Sequence, residues 1–258
     1  MKKLPLFLFI GAIGFLIYAL VYLDGGNIKI KTGKRSKTEK AEARKTKVAQ
    51  RVDKIKKVHE FGKIHVDGVF KVVVTYGTEE KIQLETPGKS SEEVKLKVKS
   101  GTLMVKLDKS TALLYRPGSK IHIYTAKLND FTLEGASSIQ LNNTLKDDSF
   151  SIKTSGGASF TGDVEVATAE IEVEGASNVE LSGTATTANL DLSGAGKLKD
   201  FDFKVNNLHV EMNGLSKANI TCSKSIKGHL VGISKLIYAG KPSVKNLKTS
   251  GAAKHSKR

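Results

Sequence analysis

The sequence predicts an all-β fold: a parallel β-helix, or solenoid, with coils of about 19 residues. Three observations lead there. Helical periodicity stops at Phe61. Apolar and polar residues then alternate in short runs bounded by turn residues. From Gly135 onward, a strand–corner–strand unit returns at intervals of about 20 residues. The expected organisation has five parts: a short cytoplasmic N-terminus (1–3), a transmembrane signal anchor (4–23) and a basic, partly helical linker (24–57), then the solenoid (58–252) and a basic tail (253–258).

The alternation is regular. Ile64 and Val66 are followed by Phe70, Val72, Val74 and Tyr76, then by Ile82 and Leu84. Val94, Leu96 and Val98 continue it, with Leu103, Val105 and Leu107, and Ile121 and Ile123. A period of two places one side-chain set inside and the other outside, the mark of a half-buried strand. "VDGV", "YGTEE", "TPGKSS", "KSGT" and "RPGS" separate the runs as turns. The 24 glycines against 4 prolines fit many tight turns, and the absence of Trp points to an aliphatic core.

The repeat opens on glycine. Gly135, Gly156, Gly175, Gly194, Gly214, Gly232 and Gly251 begin "GASSIQL", "GGASFTG", "GASNVEL", "GAGKLKD", "GLSKANI", "GISKLIY" and "GAAKHSK". Apolar residues precede the glycine by four and two positions, as in Ile171 and Val173 before Gly175. Another follows by four, as in Val179. A coil of this length cannot bury its own apolar face and must stack on copies of itself. The glycines are read as structural corner residues, where the backbone turns with φ > 0 or where coils approach closely. The serines Ser137, Ser177, Ser216 and Ser234 are read as an internal hydroxyl ladder serving corner backbone groups.

The net charge of +16 is unevenly placed. Residues 1–57 hold 15 Lys/Arg and 4 Asp/Glu, residues 241–258 hold 6 and none, and residues 58–240 hold 21 and 22. Leu4 to Leu23 is a run of 20 uncharged residues, long enough as a helix to cross about 30 Å of hydrocarbon. It is longer than the apolar region of a cleaved signal peptide and lacks a small-x-small cleavage site, so an uncleaved anchor is expected. Ser36-x-x-Glu39 can form a capping box for a basic helix carrying Ala41, Val48, Val52 and Ile55. Such a linker suits a solvated spacer or contact with anionic lipid or envelope polymer. No aromatic residue lies among its basic ones before Phe61, so nucleic acid is not an expected partner.

Catalytic, cofactor-binding and metal-binding residues are all expected to be absent. The histidines 59, 65, 122, 209, 229 and 255 do not pair at ligand spacing. No nucleophile elbow or phosphate-binding loop is present. Glu165, Glu170, Glu172, Glu174, Glu180 and Asp191 mostly alternate with apolar residues and belong to solvated strand faces. Glu134 and Glu174 each precede a corner glycine, without an acidic residue at Ser193, Asn213 or Val231 to extend the row. Cys222, the single cysteine, is read as a small buried hydrophobe.

"FGKIHVDGVFKVVVTYGTEEKIQLET" (61–86), "KSGTLMVKL" (99–107), the Gly-Ala-Ser repeats and "LIYAGKPSV" (236–244) together resemble the bacterial family called putative auto-transporter adhesin, head GIN domain. The resemblance covers about residues 58–252. It implies a β-helical fold and an exported envelope protein, with no catalytic residues to carry over. An exported family places the domain outside the membrane, periplasmic or extracellular. The lysines just after the apolar stretch favour the opposite orientation, although long domains translocate largely regardless of charge. The expected role is a binding, adhesion or scaffolding module at the membrane with a glycan or protein ligand. The alternatives are a carbohydrate-active enzyme and a cytoplasm-facing membrane-associated structural protein.

Overall fold

The computed structural model describes residues 19–24, 27–32, 51–55, 61–86, 94–107 and 119–258. Two units divide the chain, Met1–Ala49 and Gln50–Arg258. In the first, β1 (Ala19–Asp24) pairs antiparallel with β2 (Asn27–Thr32), Val21 opposite Ile30. The last residues of the expected membrane helix, 19–23, thus fall in β1. Its residues 4–18, and residues 33–50 of the expected linker, lie outside the described residues. Among the described residues no helix is long and apolar enough to cross a membrane.

The second unit is a β-solenoid of about seven turns with a spacing of about 19 residues. Its coils climb in chain order through β10 (Asp130–Gly135), β11 (Ser138–Leu141), β12 (Leu145–Thr154), β13 (Ser159–Val173) and β14 (Asn178–Leu192). They continue through β15 (Lys197–Lys199), β16 (Phe203–Met212), β17 (Lys217–Leu230), β18 (Lys235–Ala239), β19 (Ser243–Thr249) and β20 (Lys254–Lys257). All pairings among these strands are parallel. Equivalent residues therefore stack at about 4.8 Å. One inward ladder runs Leu103, Ile64, Phe131, Ile152, Ile171, Leu190, Val210 before the corner. Another runs Val72, Ile139, Phe160, Val179, Leu198, Ala218, Leu236 after it. These side chains are buried in one continuous core. Phe131, Phe150 and Phe160 meet inside it with ring centroids 5.2 to 5.8 Å apart, in tilted and edge-on contacts.

The first coil in space is not the first in the chain. β4 (Lys63–Gly68) and β5 (Lys71–Tyr76) carry β10 and β11 on one side. On the other side they carry β8 (Thr102–Leu107) and β9 (Lys120–Thr125), again in parallel. That outer pair is then bordered by antiparallel strands, β7 (Val94–Lys99) on β8 and β6 (Lys81–Thr86) on β9. Ser100 and Gly101, at φ 49° and 73°, make the two-residue turn of the β7–β8 hairpin. The parallel stack thus ends in antiparallel ribbons that occupy its edge, a way of protecting an open sheet. Alternation in the sequence cannot show this, because it gives which residues face inward and not the direction of the neighbour.

Two segments expected to flank the solenoid contribute strands to its sheet. Arg51–Ile55, expected within the helical linker, is strand β3, paired antiparallel with β6. Pairing with an otherwise unpartnered sheet edge outweighs local helical preference there. The expected basic tail is β20 of the last coil. Lys254 N–H donates to Ser234 O at 3.0 Å, Arg258 N–H to Tyr238 O at 2.9 Å, and the Arg258 guanidinium lies 4.6 Å from the Phe201 ring centroid. His255 stacks in register on Leu236.

The corner explains the glycines. Gly175 has φ 71°, a left-handed conformation, and a Cβ built on it would lie 2.7 Å from Gly156 O. The neighbouring Ala176 N–H donates to that same carbonyl at 2.8 Å. The arrangement recurs from Gly68 to Gly232, each corner carbonyl accepting from the coil stacked on it. Gly101 has nearly the same φ of 73°, with nothing within 4 Å of the place a Cβ would take. Gly101→Ala is therefore expected to cost only the left-handed strain, about 1–2 kcal/mol. Gly175→Ala adds a backbone collision and should cost clearly more. Urea denaturation of the two variants checks this, and equal losses would refute the close-approach account.

Candidate interaction surface

The seven corner glycines lie along one edge, where corner carbonyls are occupied by the inter-coil bonds just described. The serines two positions later are buried and face inward. Ser137 Oγ donates to Gly68 O at 2.9 Å and Ser177 Oγ to Gly156 O at 3.3 Å. Ser216 and Ser234 are also buried, but their hydroxyls have no hydrogen-bond partner within the described residues. Cys222 is buried, and burial pushes its thiol pKa upward, away from reactive thiolate. Among the described residues no group of three or more His, Cys, Asp or Glu could hold a metal ion.

Before the corner, the outward positions build a carboxylate row, which alternation within one strand does not reveal. Glu172, Asp191 and Glu211 stack in register on β13, β14 and β16. Lys153 Nζ closes one end at 2.5 Å from Glu172, and His229 Nδ1 lies 3.0 Å from Glu211 at the other. The Asp191 carboxyl is raised above its usual range, first by desolvation and then by Glu172 and Glu211. Elsewhere on this side Lys63 meets Asp130 at 2.9 Å, Lys146 meets Glu165 at 2.7 Å and His65 meets Glu134 at 3.2 Å. The face before the corner is thus charged and largely paired.

After the corner, the pattern differs. Three positions past the glycine stand Ser138, Ser159 and Asn178, then Lys197, Lys217, Lys235 and Lys254, all in one register ladder. The four lysines are exposed, and among the described residues none is in an ion pair. They span about 14 Å at one lysine per coil. Like charges directly opposite on neighbouring strands destabilise a sheet. A terminal lysine is ordinary edge protection, but Lys197, Lys217 and Lys235 sit on coils that are covered on both sides.

One position past the glycine, the ladder reads Ala136, Gly157, Ala176 and Ala195, then Leu215 and Ile233, then Ala252. Leu215 is 62% exposed and Ile233 64%, with Val231 beside them at 42%. The apolar pair and the lysines rise from the same two coils. The wider charge agrees: after Glu211 the chain has ten Lys/Arg and no Asp or Glu. Both signals stand in the sequence, in "GLSK" and "GISK", but become a surface only once the coils are aligned.

The family model described as putative auto-transporter adhesin, head GIN domain, matches residues 60–242. The chain belongs to this family. A putative adhesin of Bacteroides fragilis has the same fold, with a TM-score of 0.69 and 23% identity, over 82% of this chain and 99% of its own. A putative adhesin of Parabacteroides merdae matches with a TM-score of 0.64 and 17% identity, over 81% of this chain and 95% of its own. A Parabacteroides distasonis protein described as a putative lipid binding protein matches with a TM-score of 0.55 and 14% identity, over 81% and 96%. No curated protein matches the chain in sequence. Family membership supports a binding or adhesion role and an envelope-associated or extracellular domain. In this chain Gln50–Arg258 forms a compact unit by itself.

The carboxylate row carries a sign that can be tested. A carboxyl whose folded-state pKa is raised stabilises the fold below its unfolded pKa, and that contribution is lost as pH rises through the folded value. At neutral pH Asp191 therefore opposes folding, and Asp191→Asn should raise the melting temperature. The side chain is exposed, so the gain is under about 1 kcal/mol, or at most about 2–4 °C for a domain of this size. It should vanish near pH 3, and thermal melts at the two pH values check it.

Proposed function

We propose that this head GIN protein is a non-catalytic binding module of the cell envelope, with the face after the corner as its contact surface for an extended anionic ligand. The observation that carries the reading is the ladder of Lys197, Lys217, Lys235 and Lys254, exposed at one-coil intervals and in no ion pair among the described residues. Its repulsion is relieved by any ligand that brings negative charge at a similar spacing, whereas the carboxylate row on the other face has Lys153 against Glu172 and His229 against Glu211 at its two ends. A rigid stack fixes the lysine backbone positions before binding, which lowers the ordering cost of contact.

The fragment 50–258 should be retained on immobilised heparin and elute with salt, because surface charge pairs are screened. Lys217→Gln with Lys235→Gln should weaken low-salt affinity by about tenfold or more, at about 1 kcal/mol per lysine near an anionic surface. Unchanged retention would sink the ladder as the contact surface. Lysines of the paired face, such as Lys146 and Lys153, serve as the comparison pair.

The apolar stretch Leu4–Leu23 is the proposed anchor, with the solenoid outside the cytoplasm. The stretch carries no charged residue, and the family is described as putative auto-transporter adhesins. Protease added to intact spheroplasts should remove the domain. A domain cut only after lysis would place it on the cytoplasmic side.

A further inference from the structure

The lysine ladder fits many polyanions, but the corner beside it is more selective. From Gly135 onward the position after the corner glycine is Ala or Gly, except where Leu215 and Ile233 occupy adjacent rungs; Val69, after Gly68 at the other end of the stack, is a single, less exposed apolar residue. Both backbone N–H groups are committed to the coil before, Leu215 to Gly194 O at 2.7 Å and Ile233 to Gly214 O at 2.8 Å. The side chains cannot turn inward, because the next residues, Ser216 and Ser234, take the inward positions. The result is an aliphatic ridge on a convex corner, with Val231 beside it and Lys217 and Lys235 two residues on.

We infer that this corner docks on an anionic lipid bilayer, with Leu215, Val231 and Ile233 entering the headgroup–acyl boundary and Lys217 and Lys235 meeting lipid phosphates. The inference rests on the binding reading above and names its ligand. A bilayer fits this corner better than other anionic partners, for three reasons. A soluble polyanion gains nothing from exposed aliphatic side chains. A glycan surface is ordinarily met by aromatic rings and hydrogen-bonding groups, and the ridge has no aromatic residue. A protruding ridge needs a receiving surface that deforms, which an interface of lipid headgroups does. Shallow apolar insertion joined to attraction for anionic lipid is the physics of peripheral membrane attachment. The charge is complementary well beyond the ridge, since no acidic residue follows Glu211.

The chain has no Trp, so one introduced at the ridge is a unique reporter. Fragment 50–258, which lacks the apolar stretch, is mixed with vesicles of phosphatidylcholine alone or of phosphatidylcholine and phosphatidylglycerol in a two-to-one mixture. Ile233→Trp should shift to the blue and be quenched by brominated acyl chains with the anionic vesicles only. In sedimentation, Leu215→Ala with Ile233→Ala should lower anionic-vesicle partitioning about tenfold and leave heparin retention unchanged. Alanine already stands at this position in the coils of Ala136, Ala176 and Ala195, so the variant keeps a residue the corner accepts. Heparin binding without vesicle binding would overturn the bilayer inference and leave the binding reading standing. Vesicle binding that is indifferent to the alanine pair, with no blue shift, would also overturn it, as purely electrostatic contact. Loss of both heparin and vesicle binding would overturn the binding reading as well.

Discussion

The solenoid depends on one close approach. At each corner a glycine Cα lies over the carbonyl of the glycine one coil earlier, and the following N–H donates to that carbonyl. The bond satisfies backbone groups that a tight bend would otherwise leave buried and unpaired. It also holds the coils in register, so a corner in one coil sets the position of the corner in the next. The inward ladders follow from this. Ile171, Leu190 and Val210 stack before the bend, and Val179, Leu198 and Ala218 after it, because the bend places them there.

That register also turns single residues into stripes. A lysine three positions after a corner is ordinary when alone. Repeated on four coils it becomes a line of charge, while the carboxylates of β13, β14 and β16 form another line on the face before the bend. The two lines differ in compensation. Lys153 and His229 stand at the ends of the acidic row, and the lysine row has no counterpart among the described residues. The fold therefore separates a face whose acidic row meets cations at both ends from one whose basic row meets none among the described residues.

The two ends of the stack are built differently. The early end is closed by antiparallel ribbons, β7 on β8 and β6 with β3 on β9, so its parallel edge is covered. The late coils carry the lysine line, the aliphatic corner and, after Glu211, no acidic residue.

The sequence by itself determined the fold class, the inward set and the corners. Two-residue alternation and a glycine once per coil are local signals, and local sterics translate them directly into strands and bends. It also contained Leu215, Ile233 and the four lysines, without showing that they share an edge. The tertiary structure decided what depends on neighbours in space: the antiparallel cap, the recruitment of Arg51–Ile55 and Lys254–Lys257 into the sheet, the carboxylate row, and the lysine line beside an aliphatic ridge. Each of these rests on residues brought together from separate strands. Charge and pairing between them are set by inter-strand register, which appears only when one coil rests on another.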